Sequence, residues 1–275
     1  MAQNLATKYS SDVDEVFRLK SKTDAAVNKD YDWDGVNSIN IYGVETVAMT
    51  NYQRSGNYRY GDVAELGTTK TTYTLARDRA FTYSIDRRNR EESMNVTEAG
   101  KTLRRQIEVV ITPEIDIYRL AALGTAATAN SANVNTGATS SSNAYSDFLA
   151  VNERISNLSV PVEGRVAFMT FAYYNYLKQS GFVVASEAAY SDRKSGDYGE
   201  VEGVKIVVIP TTYMPTNTNL IITHPIAMTS PMVLTDYVIH ENAPGINGHL
   251  VEGRVVYDAF VLTNKVNAIA AHKTA

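Results

Sequence analysis

TEAGKTLRRQIEVVITPEIDIYRLAAL, residues 97–123, is a long amphipathic stretch in a chain otherwise rich in short β-type runs. Thr97 is placed to cap its start, and Glu98 puts a carboxylate where a helix N-terminus favours one. Leu103, Ile107, Ile111, Ile115, Tyr118 and Ala122 follow at spacings of three and four, which puts them on one helix face. Pro113 interrupts the stripe: it lacks a backbone donor, crowds the preceding turn and disfavours helix at Thr112. Yet Thr112-Pro113-Glu114-Ile115-Asp116 also reads as a fresh helix start, with a cap, a proline at the first position and acids in the first turn. The pattern predicts one long helix kinked near Pro113, or two nearly collinear helices. At about 1.5 Å per residue the stretch spans roughly 40 Å, a spine rather than a buried core helix.

Working outward, 275 residues allow one large or two ordinary domains with ample core. Hydrophobic content of 44% and a net charge of -4 fit a globular chain and not a typical nucleic-acid binder. Cysteine is absent, which excludes disulfides and thiolate metal sites. The N-terminus has no basic-then-apolar signal pattern, and no apolar run is long enough for a membrane span, so the expected place of synthesis is a cytoplasm. Tyrosine is frequent, at 18 against 7 Phe and 1 Trp. A ring that tolerates one wet and one dry side suits extended contact surfaces and points towards assembly.

Residues 1–36 read as a polar, partly ordered arm. Within them Asp30-Tyr31-Asp32-Trp33-Asp34-Gly35 matches the first half of a calcium loop. The twelfth position is Ile41 instead of a bidentate Glu, so a polar turn is the expectation. Residues 36–50 read as a strand and its approach, and 52–62 as a glycine-punctuated, polar-aromatic tip. Residues 68–85 are rich in β-formers, with Phe81, Tyr83 and Ile85 alternating. Together they predict an extended hairpin arm too polar to bury itself. Residues 86–105 carry Arg87, Arg88, Arg90, Glu91, Glu92, Lys101, Arg104 and Arg105. Their mixed sign favours a solvated helix start over a nucleic-acid or intersubunit patch.

Residues 124–143, rich in Ala, Thr, Ser and Asn and free of charge, read as a loop or linker whose alanines could support a short helix. Residues 144–158 read as an amphipathic helix. Residues 160–245 read as a mixed α/β unit, with strands near 166–171, 203–210 and 219–224 and a helix near 173–179. Residues 253–262 form a strand candidate that is apolar on both faces apart from Asp258, with a possible continuation at 266–269.

Chemistry is scarce. There is no phosphate loop and no nucleophile elbow. His224, His240, His249 and His272 are scattered at spacings that do not suit a metal. His240-Glu241 offers half an acid–base pair but nominates no substrate. The residues predict a non-enzyme without cofactor or metal.

The order of parts resembles the major capsid protein of tailed bacteriophages, the Hong Kong 97-like fold, and is similar to those of phages of Gram-positive hosts. Three stretches carry the likeness: Val110-Ile111-Thr112-Pro113-Glu114-Ile115-Asp116-Ile117-Tyr118-Arg119, Pro161-Val162-Glu163-Gly164-Arg165, and Gly253-Arg254-Val255-Val256-Tyr257-Asp258-Ala259-Phe260-Val261-Leu262-Thr263-Asn264-Lys265. The resemblance implies an α+β fold with an N-terminal arm at 1–36 and a strand with extended β-hairpin loop at 37–86. It implies a peripheral domain at 87–159 around the spine helix, an α/β axial domain at 160–245 and a C-terminal strand at 246–275 that returns to the peripheral or axial sheet. It further implies a homo-oligomeric icosahedral shell of pentamers and hexamers, made in a host bacterial cytoplasm and ending in the virion. The implied partners are a separate scaffolding protein, a portal and double-stranded DNA held without sequence-specific contact. The net acidity fits an inner wall that must not grip DNA.

Tyr52, Arg54, Tyr58, Arg59, Tyr60, Lys70, Arg87, Arg88, Arg90, Arg104 and Arg105 become the candidate intersubunit contacts. Some members of the family cross-link a loop lysine to a neighbour's asparagine. Lys70 and Asn57 are the residues to consider here, and nothing around them marks a catalytic environment. The rivals are an encapsulin-like compartment shell, a phage tail or baseplate component, and a hydrolase using His240 and Glu241.

Overall fold

The computed structural model describes residues 21–31, 38–63, 65–88, 99–180, 199–241 and 243–274. The chain divides into two units, residues 33–75 and the remainder. The first 20 residues, the stretch 32–37 that completes the half calcium loop, the charged run 89–96 and the Thr97 cap lie outside the described residues.

The smaller unit is a β-ribbon. Strand β1 (Ser38–Val44) pairs antiparallel with β2 (Thr68–Thr74) in a seven-residue ladder from Ser38↔Thr74 to Val44↔Thr68. The sequence places the return strand of the hairpin continuously over 68–85. It splits instead: β3 (Arg77–Asp86) leaves the ribbon and joins the body. The cause is the stronger apolar alternation of its second half, since Phe81, Tyr83 and Ile85 pack on a core that the ribbon lacks.

In the body the spine is continuous. Helix α1 (Ala99–Gln106) runs through a π-helical segment (Ile107–Ile111) into α2 (Thr112–Ala129), about 45 Å in all. Two features of the sequence call for the π segment. Pro113 cannot donate to the carbonyl of Val109 and crowds it, so a wider turn relieves the clash. Leu103, Ile107, Ile111 and Ile115 also recur every four residues. On a regular helix that stripe would drift by about 40° per step, and the wider turn brings it back to one face. All four are buried. The spine ends six residues later than the sequence suggests. Gly124 and Ala127 are buried helix residues, and a Cβ on Gly124 would lie 2.6 Å from Pro215 Cγ. Small residues here allow close packing instead of making a linker.

Beyond the spine come β4 (Val134–Thr136), α3 (Ala144–Asn157), β5 (Val166–Thr170) and α4 (Phe171–Gln179). Strands β6 (Glu200–Val201), β7 (Val204–Ile209), β8 (Thr218–Thr223), β9 (Met228–Thr229), β10 (Met232–Glu241), β11 (Gly248–Tyr257), β12 (Phe260–Val261) and β13 (Ile269–Lys273) complete the order. They form two principal sheets. An antiparallel sheet β10-β11-β3 packs on the first part of the spine, where Ile85, Val251, Val255 and Tyr257 meet Leu103, Ile107, Ile111 and Ile115. A six-stranded sheet β4-β13-β8-β5-β7-β6 has two covered faces. Leu120, Leu123 and Ala127 of the spine meet Phe168, Ile221 and Ile269 on one side. Phe148, Val151 and Ile155 of α3 with Tyr173 and Leu177 of α4 meet Met169, Ile222 and Ala270 on the other. Burial on both faces is why β5 reads as an unbroken apolar run.

Two expectations change. Residues 232–241 pair with β11 rather than within the α/β unit expected over 160–245, and β4 enters that unit's sheet from outside the range, beside β13 of the C-terminal stretch. The strand expected over 253–262 breaks at Asp258, and 263–268 form a 3-10 helix before β13. The N-terminal arm, read as partly ordered, is anchored in part: Ala26 and Val27 are buried in the core, and the Asn28 amide donates to the Met228 carbonyl.

Candidate assembly surfaces

The ribbon presents apolar side chains that its own ladder leaves uncovered. Tyr42, Val44, Val47, Met49, Tyr52, Tyr58, Tyr60, Val63 and Leu66 are all exposed, Tyr60 at 86% and Val63 at 92%. The tip is nevertheless organised. The Gln53 amide donates to the Arg59 carbonyl and the Gly61 amide to the Tyr58 carbonyl, each at 2.9 Å. Thr50 Oγ1 donates to the Tyr60 carbonyl, and Tyr52 meets Tyr60 edge to face at 5.0 Å. Tyr58 sits in the left-handed region at φ 61°, unusual for a bulky side chain. Arg54 and Arg59 flank it, exposed, and Lys70 lies opposite Tyr42 in the ladder.

The remaining candidates lie on the body. Arg104 and Arg105 are on the exposed side of α1, and Arg87 and Arg88 follow β3, also exposed. Arg90 lies outside the described residues. Further along the spine Val109, Val110 and Ile117 are exposed, as are Phe171 and Tyr176 on α4. On the open face of the three-stranded sheet Arg254 grips both oxygens of Asp78 and holds that carboxyl below its ordinary value. His240 pairs with Glu252 of the adjacent strand at 3.2 Å, not with Glu241, because neighbours along a strand point to opposite faces. The half acid–base pair of the sequence therefore dissolves. His224 bonds the Glu163 carbonyl and accepts the Ile226 amide, a strand-end role. Among the described residues no group of three or more His, Cys, Asp or Glu could hold a metal, and no helix is long and apolar enough to cross a membrane.

Buried polar groups hold these surfaces in place, and nothing in the motif pattern of the sequence singles them out. Asp116 and Arg119, 1% and 2% exposed, sit on the spine beneath the N-terminal segment. Asp116 accepts from Ser21 Oγ, the Lys22 amide and Thr23 Oγ1 at 2.7, 2.9 and 2.6 Å. Burial pushes the Arg119 guanidinium below its ordinary value, opposed by the charges of Asp116 and Asp24. Arg165 is fully buried and donates only to neutral acceptors on α3 and the turn before β5.

No family model and no curated protein sequence matches the chain. Solved structures do. One from Mycobacterium phage Che8 superposes with a TM-score of 0.66 at 15% identity, covering 92% of this chain and 90% of its own. The capsid of Cyanophage P-SCSP1u gives a TM-score of 0.66 at 12% identity, covering 88% and 84%. A virus-like particle from Pyrococcus furiosus gives a TM-score of 0.59 at 10% identity, covering 98% and 100%. Spine, covered six-stranded sheet and β-ribbon together are the capsid fold of tailed phages.

Proposed function

We propose that the chain is a major capsid protein, a structural subunit that self-assembles into the icosahedral head shell around phage DNA. The observation that carries the reading is the ribbon. Its tyrosines, valines and methionine stay exposed within their own unit, on a chain whose fold recurs in phage capsids. Each copy lays Tyr52, Arg54, Tyr58, Arg59, Tyr60 and Lys70 on a neighbour, and Arg87, Arg88, Arg90, Arg104 and Arg105 serve a second contact. The half built on the three-stranded sheet is the peripheral part, and the half built on the six-stranded sheet is the axial part around five- and six-fold axes. Modest heterologous contacts repeated around closed rings stabilise such a shell without one tight interface. A separate scaffolding protein and a portal take part in assembly, the subunit is made in the host cytoplasm and ends in the virion, and it performs no catalysis.

The match to a virus-like particle favours a second reading, a compartment shell that encloses protein cargo. Negative-stain electron microscopy with light scattering on the purified chain tests both. Uniform hollow shells, pentamers or hexamers are expected, and nucleic acid or protein content separates the two readings. A stable monomer at high concentration, with and without a candidate scaffolding protein, refutes both.

A further inference from the structure

Five buried polar residues lie end to end beside the spine and serve neither an apolar core nor an exposed surface. Thr23, Asp116, Arg119, Ser230 and Asp258 are all 8% exposed or less. At one end Asp116 holds Ser21, Lys22 and Thr23. Arg119 Nη1 donates to Thr23 Oγ1 at 3.2 Å, and its Nε donates to Ser230 Oγ at 2.8 Å. Ser230 Oγ donates in turn to the backbone carbonyl of Asp258 at 2.7 Å. At the other end the Asp258 carboxylate accepts Tyr118 OH and the Ala259 amide on Oδ1, and the Ala76 amide on Oδ2. Ala76 is the first body residue on the return from the ribbon. Two further fastenings reinforce that root: Arg77 lies over the Tyr118 ring at 4.6 Å, and Arg79 Nε and Tyr257 OH both donate to Glu114 Oε1.

We infer that this buried relay couples the seating of residues 21–23 to the hold on the ribbon's root at Ala76, so that the two ends loosen and tighten together. The physical reason is that no link in the middle can relax without its neighbours. If the Thr23 hydroxyl leaves, Asp116 keeps Ser21 Oγ and the Lys22 amide but loses its third donor in a dry site, Arg119 loses an acceptor, and the guanidinium reorients towards what is left. Its Nε bond fixes which way the Ser230 hydroxyl points, and that hydroxyl tethers the Asp258 backbone. Thermodynamic linkage makes the effect reciprocal. Applied to the shell reading, on which this consequence rests, displacement of the N-terminal segment changes how firmly the chain is held where it returns from the ribbon at Ala76. The coupling itself is independent of that reading.

Hydrogen exchange on the full-length chain, followed by mass spectrometry, reads both ends at once. Thr23→Val touches nothing at the root, yet it is expected to speed exchange of the Ala76–Arg79 amides by roughly fivefold or more. Asp258→Asn, which cannot accept on both sides, is expected to speed exchange at Lys22 and Thr23 by a similar factor. Ser230→Ala cuts the relay in the middle, and in its background Thr23→Val should leave Ala76 unchanged. Thr170→Val, which removes a helix cap in the other core, controls for general destabilisation and should move neither end. Variants that each loosen only their own end, or a Thr170→Val control that reproduces the pattern, overturn the coupling. If Asp258→Asn does not fold, Thr23→Val with and without Ser230→Ala decides alone. Failure of the wild type to form shells removes the assembly consequence and leaves the exchange result standing.

Discussion

Replacing Arg165 by Met keeps most of the side-chain volume and deletes every donor. In the wild type Nε donates to the Pro161 carbonyl at 2.8 Å and Nη2 to the Val160 carbonyl at 2.6 Å. Nη1 donates to Asn152 Oδ1 at 2.5 Å and Ser156 Oγ at 2.9 Å. These bonds tie the last turns of α3 to the start of β5 across a turn in which Ser159 and Gly164 both have positive φ. Neutral acceptors give up less than a carboxylate would, and burial alone pushes the guanidinium below its ordinary value. The substitution also removes the cost of burying a charge, which offsets part of the loss. An acceptor left unpaired in a dry site costs about 1–3 kcal/mol. Pro161 is exposed and Val160 half-buried, so water takes over part of what their carbonyls lose, and the net cost is roughly 2 kcal/mol. For a chain of this size that corresponds to about 4–8 °C in Tm. Thermal denaturation followed by far-UV circular dichroism on unassembled subunits measures it. Arg165→Lys should fall between, since three donors on one nitrogen cannot span both carbonyls. A Met variant within about 1 kcal/mol of the wild type refutes the claim that this arginine, rather than the apolar contacts of α3, fixes the turn.

Two further substitutions probe other parts of the fold. His272 is fully buried on β13 beside the Tyr173 ring of α4, with Nε2 3.5 Å from Asp147 Oδ2 of α3, and burial lowers its pKa against the opposing pull of Asp147. A depressed folded value means the unfolded chain takes up the proton first. Stability is therefore fully present above about pH 6.5 and falls as pH drops, by at most about 1.4 kcal/mol per pH unit for one proton. Half-buried His224 shifts in the same direction, so the test is the difference: His272→Gln should have a shallower slope between about pH 6.5 and 5 in urea denaturation, and an unchanged slope rules the site out. Gly124→Ala should destabilise by about 1–2 kcal/mol, because overpacking against Pro215 at 2.6 Å outweighs the gain in helix propensity. Gly137→Ala, with nothing within 4 Å, should be neutral by the same thermal scan.

The parts legible in the sequence are those with local periodicity. The four-residue stripe Leu103, Ile107, Ile111 and Ile115 marks the spine, and the same spacing carries the π segment that Pro113 requires, although pattern alone shows no more than a kink there. The apolar runs of β5, β7 and β8 mark a sheet buried on both faces. What stays hidden is pairing over distance. Strand β3 continues β2 in sequence almost without a break, and nothing local says that its partner is β11, with Tyr257 opposite Arg77. Strand β10 escapes notice because Thr235, Asp236 and His240 interrupt its alternation. The helix end at Ala129 is obscured because a face of Gly and Ala has little amphipathic contrast. Asp116 and Arg119 read as ordinary surface charge, since their partners are an N-terminal segment more than ninety residues away in sequence.

The distribution of apolar surface argues for what completes the ribbon. In the body the alternating faces of β3, β11 and the spine close on one another. In the ribbon Tyr42, Val44, Tyr52, Tyr58 and Tyr60 stay exposed, and the one ring contact among them, Tyr52 on Tyr60, leaves both rings largely in water. A two-stranded ladder is marginal in water on its own, and a third layer is what ordinarily stabilises it. Fully covering one large apolar side chain contributes about 1.5–3 kcal/mol before ordering costs. Several partly covered at once stabilise the ribbon more than the hydrogen bonds of the tip do, while the left-handed Tyr58 and the Tyr52–Tyr60 contact have already reduced the entropy of ordering. On the proposed reading, ribbons laid on other copies are lower in free energy than ribbons left in water. The advantage grows with the number of neighbours that close a ring, which is the condition a shell meets and a monomer does not.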